Sequence, residues 1–163
     1  MQWLGFEIHP ETPDQGISIS KLPWKIDAGA MIRHLNQLGS QVGITFNEIT
    51  RLPNSRMALE AAEYAREQGK FDAFHQALFE SYFVRGENIG DSKVLREIAG
   101  EMGLDEGAME HALLDGIYVP VLRQVKQEAA QLGVTAAPTF IIEGRERIVG
   151  AQPLEVFRKL LGD

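Results

Sequence analysis

Residues Gln2 to His9 alternate, with Leu4, Phe6 and Ile8 on one face and Trp3, Gly5 and Glu7 on the other. That period of two predicts a β-strand, stopped by His9-Pro10. From Glu11 to Pro23 the apolar positions thin out among Pro, Asp, Gly and Ser, which predicts a surface loop. The period then changes to that of a helix. Ile26 to Leu38 places Met31, Leu35 and Leu38 on one face and stops at Gly39, and Asn54 opens a helix to Gln68 with Met57, Ala61, Tyr64 and Ala65 inward. Phe71, Phe74, Leu78 and Tyr82 mark a third. Asp91 caps a fourth with Val94, Ile98 and Met102 inward, and Asp105 caps a short one with Met109, Ala112 and Leu113. The last of the series runs from Ile117 to Leu132, with Pro120 in its first turn and Tyr118, Val121, Leu122, Val125, Ala129 and Leu132 on the apolar side.

The pattern changes again at Gly133. A loop of small residues leads to Pro138, and the β-branched and aromatic run Thr139 to Ile142 predicts a buried strand opened by the proline, where a missing N–H does least harm. A turn at Glu143-Gly144 and a short strand at Ile148-Val149 complete a hairpin, and a terminal helix follows Gly150-Ala151-Gln152-Pro153. The order is strand, five or six helices, strand, strand, helix, with no internal repeat.

Composition narrows the function classes. With 163 residues, 44% of them apolar, the chain suffices for one core of mixed type. A net charge of −7 with scattered basic residues argues against a nucleic-acid surface. No apolar run is long enough to span a bilayer, and Met1-Gln2-Trp3 does not open a secretory signal, so the cytoplasm is the expected location. The cysteine count is zero. Because the thiolate is both nucleophile and carrier in disulfide exchange, this sequence by itself has no group to oxidise, reduce or isomerise a disulfide. No catalytic residue is assigned on it. His9, His34, His75 and His111 lack metal-site spacing, so no metal is expected. Glu60, Glu63 and Glu67, like Glu106 and Glu110, read as solvated helix faces, Phe71, Phe74 and Tyr82 as core, and Gly144 and Gly150 as turn residues.

The block Gly133-Val134-x-x-x-Pro138-Thr139-Phe140, the hairpin, and Gly150-Ala151-Gln152-Pro153 with its helix closely resemble the C-terminal half of the thioredoxin fold in the DsbA family, above all its FrnE-type branch of cytoplasmic thiol–disulfide oxidoreductases. Trp3-Leu-Gly-Phe-Glu-Ile-His-Pro-Glu-Thr-Pro, Arg51-Leu-Pro-Asn-Ser55, Ala77-Leu-Phe-Glu-Ser-Tyr-Phe83, Gly90-Asp91 with Val94-Leu95, and Gly103-Leu104-Asp105 extend the resemblance over nearly the whole chain. It implies an α/β fold: one DsbA-like domain over 1–163, with a thioredoxin-like part from 1–10 and 133–163 and a mainly helical insertion over 26–132. The family's first strand and the helix bearing its Cys-x-x-Cys, roughly 30–40 residues in all, have no counterpart here, so an N-terminally truncated domain is expected. In the family that strand lies mid-sheet. Its absence would leave two exposed edges unless the remaining strands re-pair or a second copy joins to give a homodimer.

The resemblance also implies a site. The family's proline matching Pro138 is cis and leaves the backbone of the residue before it, here Ala137, free to pair with an extended protein thiol, a peptide or glutathione. Asn54 and Ser55 read first as an N-cap. In the related kappa-class glutathione transferases and 2-hydroxychromene-2-carboxylate isomerases, an Asn-Ser or Asn-Thr pair at this helix start faces the ligand pocket. Three functions remain open: a FrnE-type oxidoreductase lacking its catalytic segment, a non-catalytic module that holds a peptide or glutathione, and a glutathione-dependent transferase or isomerase. No bound cofactor is expected unless glutathione serves as one.

Overall fold

The computed structural model describes residues 1–22, 27–142 and 147–162. Pro23, Ile26 and the turn at Glu143-Gly144 lie outside them. Among the described residues the chain forms four two-residue strands and seven α-helices, with the strands in two separate antiparallel pairs. Strand β1 (Ile17–Ser18) pairs with β2 (Arg51–Leu52), and β3 (Thr139–Phe140) with β4 (Ile148–Val149) in the register Thr139 to Val149 and Phe140 to Ile148.

The helices are α1 (Ala28–Gly39), α2 (Arg56–Glu67), α3 (Phe71–Phe79), α4 (Ser92–Glu101), α5 (Glu106–Leu114), α6 (Val119–Gln131) and α7 (Leu154–Leu161). Local chemistry sets their ends. Asp27, Asp91 and Asp105 accept from the N–H of Ala30, Lys93 and Ala108 at 2.8, 2.9 and 2.9 Å, caps each worth about 1 kcal/mol. At the far ends Gly69, Gly103 and Gly133 sit in the left-handed region, with φ of 70°, 63° and 64°.

The core lies between α2 and the helices around it. Ala58, Ala61, Ala62 and Ala65 let α3, α4, α5 and α6 approach α2 closely, and Phe74, Leu95, Ile98 and Met109 fill the centre. Helix α3 passes into a single π-helical segment, Glu80–Val84, which keeps Tyr82 on the helical rod but only half-buried.

The structure corrects several expectations. Gln2 to His9 form no strand. An extended segment needs a neighbour to close a ladder, and this one lies against α2, where the Arg66 guanidinium takes the carbonyl of Trp3 at 2.6 Å. Neither strand re-pairing with this segment nor a continuous sheet forms among the described residues. The expected loop after Glu11 holds β1 and a 3₁₀ turn, Ile19–Lys21, anchored where Ile19 N–H donates to Thr50 O at 3.0 Å. The strand expected to reach Ile142 stops at Phe140.

Glu60 and Glu63 are buried, at 6% and 7% exposed, because α2 is enclosed on most sides rather than having a wet face. Glu67 accepts from the Tyr118 hydroxyl at 2.7 Å. On the expected apolar faces Leu38, Val121 and Leu132 are exposed, and Leu95, fully buried, takes the central place on α4.

Candidate functional site

The loop ahead of β3 is held at both ends. At its start, Val134 N–H bonds Ala129 O at 2.8 Å, and the Arg147 guanidinium donates to Leu132 O and, at 2.8 Å, to Gly133 O. Leu132 is the C-cap of α6, whose carbonyl the helix leaves without a partner, and Gly133 follows it, so a single arginine ties the hairpin to the end of the helix. At the other end Thr139 Oγ1 donates to Ala136 O at 2.6 Å, and Gly150 N–H donates to Pro138 O at 2.8 Å, extending the β3–β4 ladder by one rung.

Between these bonds the Ala137–Pro138 peptide is cis, and both residues are exposed. The N–H and carbonyl of Ala137 have no partner among the described residues. Ala136 and Pro138 have spent their carbonyls within the loop, so Ala137 presents one donor and one acceptor to solvent beside the β3 edge that β4 leaves unpaired. Such a pair is what an extended backbone needs to add itself as a strand.

An aromatic series flanks the loop. Phe140 meets Phe157 of α7 edge-on at 4.9 Å and Trp3 at 5.9 Å; Trp3 in turn lies 5.7 Å from His75 on α3. His75 stacks on Phe71 at 5.3 Å and meets Phe79 edge-on at 4.7 Å. Burial holds the His75 imidazole below its ordinary pKa, with Asp72 pulling the other way, so the ring favours the neutral form suited to aromatic company. Arg66 lies 3.6 Å above Phe71 while bonded to Glu63 and to Trp3 O.

Asn54 and Ser55 stand apart from this loop. Asn54 Oδ1 accepts from Arg56 N–H at 3.0 Å and its Nδ2 donates to Thr12 O at 2.7 Å, so both ends of the amide are used on backbone. Gly90 lies close by, since a Cβ there would meet Asn54 O at 2.8 Å. Ser55 is half-buried at the start of α2, and its hydroxyl has no partner among the described residues. No hydrogen bond joins either residue to Ala137 or Pro138 among the described residues.

An open cleft of about 530 Å³ between Met1–Trp3 and the start of α3 contains none of the four residues. Its two basic groups, Arg66 and Lys70, are already bonded, Lys70 to the carbonyls of Met102 and Gly103. Among the described residues no three His, Cys, Asp or Glu side chains gather to hold a metal ion, and no helix is long and apolar enough to cross a membrane.

Sequence reasoning missed Trp3, Arg66 and Arg147. Trp3 was read only as sharing a strand face with Gly5 and Glu7, and in fact bridges the hairpin to α3. For Arg66 the sequence holds only a weak sign, the spacing of Glu63 and Arg66 by three residues on a helix, and for Arg147 it holds none.

A hairpin entered through an exposed proline loop, closed by a terminal helix and joined to a helical block, defines a thioredoxin-like domain with a helical insertion. A model of the DSBA-like thioredoxin domain matches residues 1–162, and the chain belongs to that family. An uncharacterized protein of Bacillus subtilis strain 168, YwbO, is 30% identical over 168 residues, which span 100% of this chain and 81% of the relative. Among solved structures, that of a probable DsbA oxidoreductase from Streptomyces coelicolor is similar with a TM-score of 0.82 and 25% identity, covering 94% of this chain and 70% of its own. That of a candidate protein disulfide isomerase from Nitrosomonas europaea shares the fold with a TM-score of 0.65 at 18% identity, over 91% of this chain and 77% of the other.

Proposed function

We propose that this chain is the substrate-holding part of a FrnE-type, cytoplasmic thiol–disulfide oxidoreductase: it binds an extended protein thiol, a peptide or glutathione at Ala137–Pro138 and carries out no exchange by itself. The observation that supports this reading is the exposed, unpartnered N–H and carbonyl of Ala137, fixed in place by the bonds of Ala136, Pro138 and Gly150 on either side. Exchange needs a thiolate, and the sequence has no cysteine; the exchanging sulfurs belong to the ligand and to a polypeptide segment that carries the cysteine pair.

The test uses titration calorimetry with a short reduced cysteine peptide and with glutathione, beside an insulin-reduction assay. Saturable binding without turnover is the expected pair of results. A peptide N-methylated at its cysteine loses one backbone donor and is expected to bind roughly three- to tenfold more weakly, the value of one hydrogen bond. Equal binding of the methylated peptide, or insulin reduction above the blank, would refute the reading.

A second reading, binding of the glutathione kind seen in kappa-class transferases and 2-hydroxychromene-2-carboxylate isomerases, is favoured by one observation. Among the described residues the Ser55 hydroxyl has no partner, and it stands at the N-terminus of α2, where backbone N–H groups and the helix dipole suit a carboxylate. Under that reading Ser55→Ala weakens glutathione and leaves the cysteine peptide unaffected.

A further inference from the structure

His75 stands where the hairpin meets the helical block. Phe140 of β3 packs on Trp3 at 5.9 Å, and Trp3 packs on His75 at 5.7 Å. The imidazole also stacks on Phe71 at 5.3 Å, the two planes only 15° apart, and meets Phe79 edge-on at 4.7 Å. Rings alone hold it: among the described residues neither ring nitrogen has a hydrogen-bond or ion-pair partner. A neutral imidazole suits that company, because its face and edge pack as those of an aromatic ring do. An imidazolium there has a charge and two N–H donors with no acceptor.

The charged groups that act on His75 are Asp72, three residues earlier on α3, and Arg66 of α2, whose guanidinium lies 3.6 Å above Phe71. The segment before Pro10 brings the Trp3 indole against it. Asp72 is exposed, and positions three apart on a helix are neighbours. A charged His75 therefore finds both water and an anion by turning out of its stack on Phe71, and the turn removes the surface on which Trp3 rests.

We propose that His75 is a proton-operated latch between the two parts of the domain: neutral, it seats the Trp3 indole against Phe140; charged, it leaves the ring cluster and frees the indole, loosening one flank of the hairpin. Burial holds the imidazole below its ordinary pKa, with Asp72 opposing and Arg66 adding to the effect. The latch is thus closed at neutral pH and opens as pH falls through the lowered value. Opening stays local, since Arg66 keeps the Trp3 carbonyl at 2.6 Å and Arg147 keeps the hairpin on the end of α6. Phe140 lies two residues beyond Pro138, so the latch sets one side of the Ala137–Pro138 loop whatever that loop binds.

The test is ¹⁹F NMR of the intact chain carrying 5-fluorotryptophan. The sequence has two tryptophans, and Trp24→Phe assigns the Trp3 resonance. As pH is lowered, that resonance is expected to titrate with one midpoint below about 6.5, the ordinary imidazole value. Its isotope shift between H₂O and D₂O is expected to grow over the same range, as the indole meets solvent. In His75→Phe, which keeps a ring in the cluster, the titration is expected to vanish; in Asp72→Asn, which removes the anion, the midpoint is expected to move lower still. His9, His34 and His111 remain in both variants, so a titration of theirs persists there and separates from that of His75. The same Trp3 titration in His75→Phe, or an unmoved midpoint in Asp72→Asn, overturns the proposal. So does an isotope shift that shrinks at low pH, the mark of a cation seated on the indole face. A parallel loss of exchange protection in the α2 amides overturns it too, because the whole domain would then be opening.

Discussion

Replacing Phe74 by alanine is expected to lower the unfolding free energy by about 3–5 kcal/mol. Phe74 is fully buried on α3, in the layer where α3 meets α2 and α4. The small alanines of α2 facing this layer cannot fill the vacated space, so a cavity is left behind and a loss within that range applies. For a domain of this size each kcal/mol moves Tm by about 2–4 °C, so a fall on the order of 10 °C follows. Thermal unfolding watched by far-UV circular dichroism measures it. A loss below about 1 kcal/mol would mean that the helical block packs some other way.

The second expected result runs in the opposite direction: Glu60→Gln stabilises the chain at neutral pH, by on the order of 1 kcal/mol, because it removes a buried charge while keeping the shape of the side chain. The sign follows from linkage. Burial raises the folded-state pKa of Glu60 above its unfolded value, so the native state binds the proton more tightly and stability falls as pH rises between the two values. The stabilisation by the protonated form is complete below the unfolded pKa and lost once pH passes the folded one. The advantage of glutamine is therefore full above the raised pKa and shrinks toward zero in the ordinary carboxylate range. Denaturant unfolding at a neutral and an acidic pH measures both ends. A destabilised Glu60→Gln at neutral pH would show that Arg56 pairs with Glu60 well enough to outweigh its burial.

These two positions show what the sequence makes legible and what it does not. Phe74 reads correctly because helical periodicity reports burial on an amphipathic element, and α3, α4 and α5 have one wet side each. Glu60 does not read correctly, because α2 is enclosed on most sides and the rule that charged positions face water fails there. The caps at Asp91 and Asp105 were legible from local chemistry alone.

The segment Gln2 to His9 carries the alternation of a strand and forms none, since pairing is decided by what lies alongside and not by the segment's own pattern. At the candidate site, the loop of small residues and the proline were visible in the sequence. Two of the bonds that fix it, from Arg147 and Gly150, span more than ten residues of chain, and no local pattern announces them. Asn54 was read as the cap of α2, yet Ser55 holds the N-cap position without a side-chain bond, while the Asn54 amide accepts from Arg56 N–H and donates to the carbonyl of Thr12.

The site's position relative to the aromatic series follows from one residue to which sequence reasoning gave no role beyond its place in a strand that does not form. Trp3 links Phe140 to His75, and so joins the thioredoxin-like hairpin to the helical block. Under the proposed function, a ligand that adds a strand at the β3 edge beside Ala137 meets this aromatic surface on its flank.

The central claim is that Ala137 offers its backbone to an extended thiol ligand. The most direct measurement is a titration of the ¹⁵N-labelled chain with a reduced cysteine peptide, followed residue by residue in two-dimensional NMR spectra. The account predicts saturable shifts centred on Ala136, Ala137, Thr139 and Phe140, with the Ala137 amide proton becoming protected from exchange as the complex fills. Saturable binding that leaves the Ala137 amide unshifted and exchanging freely, with shifts centred instead on the cleft between Met1–Trp3 and the start of α3, would contradict it.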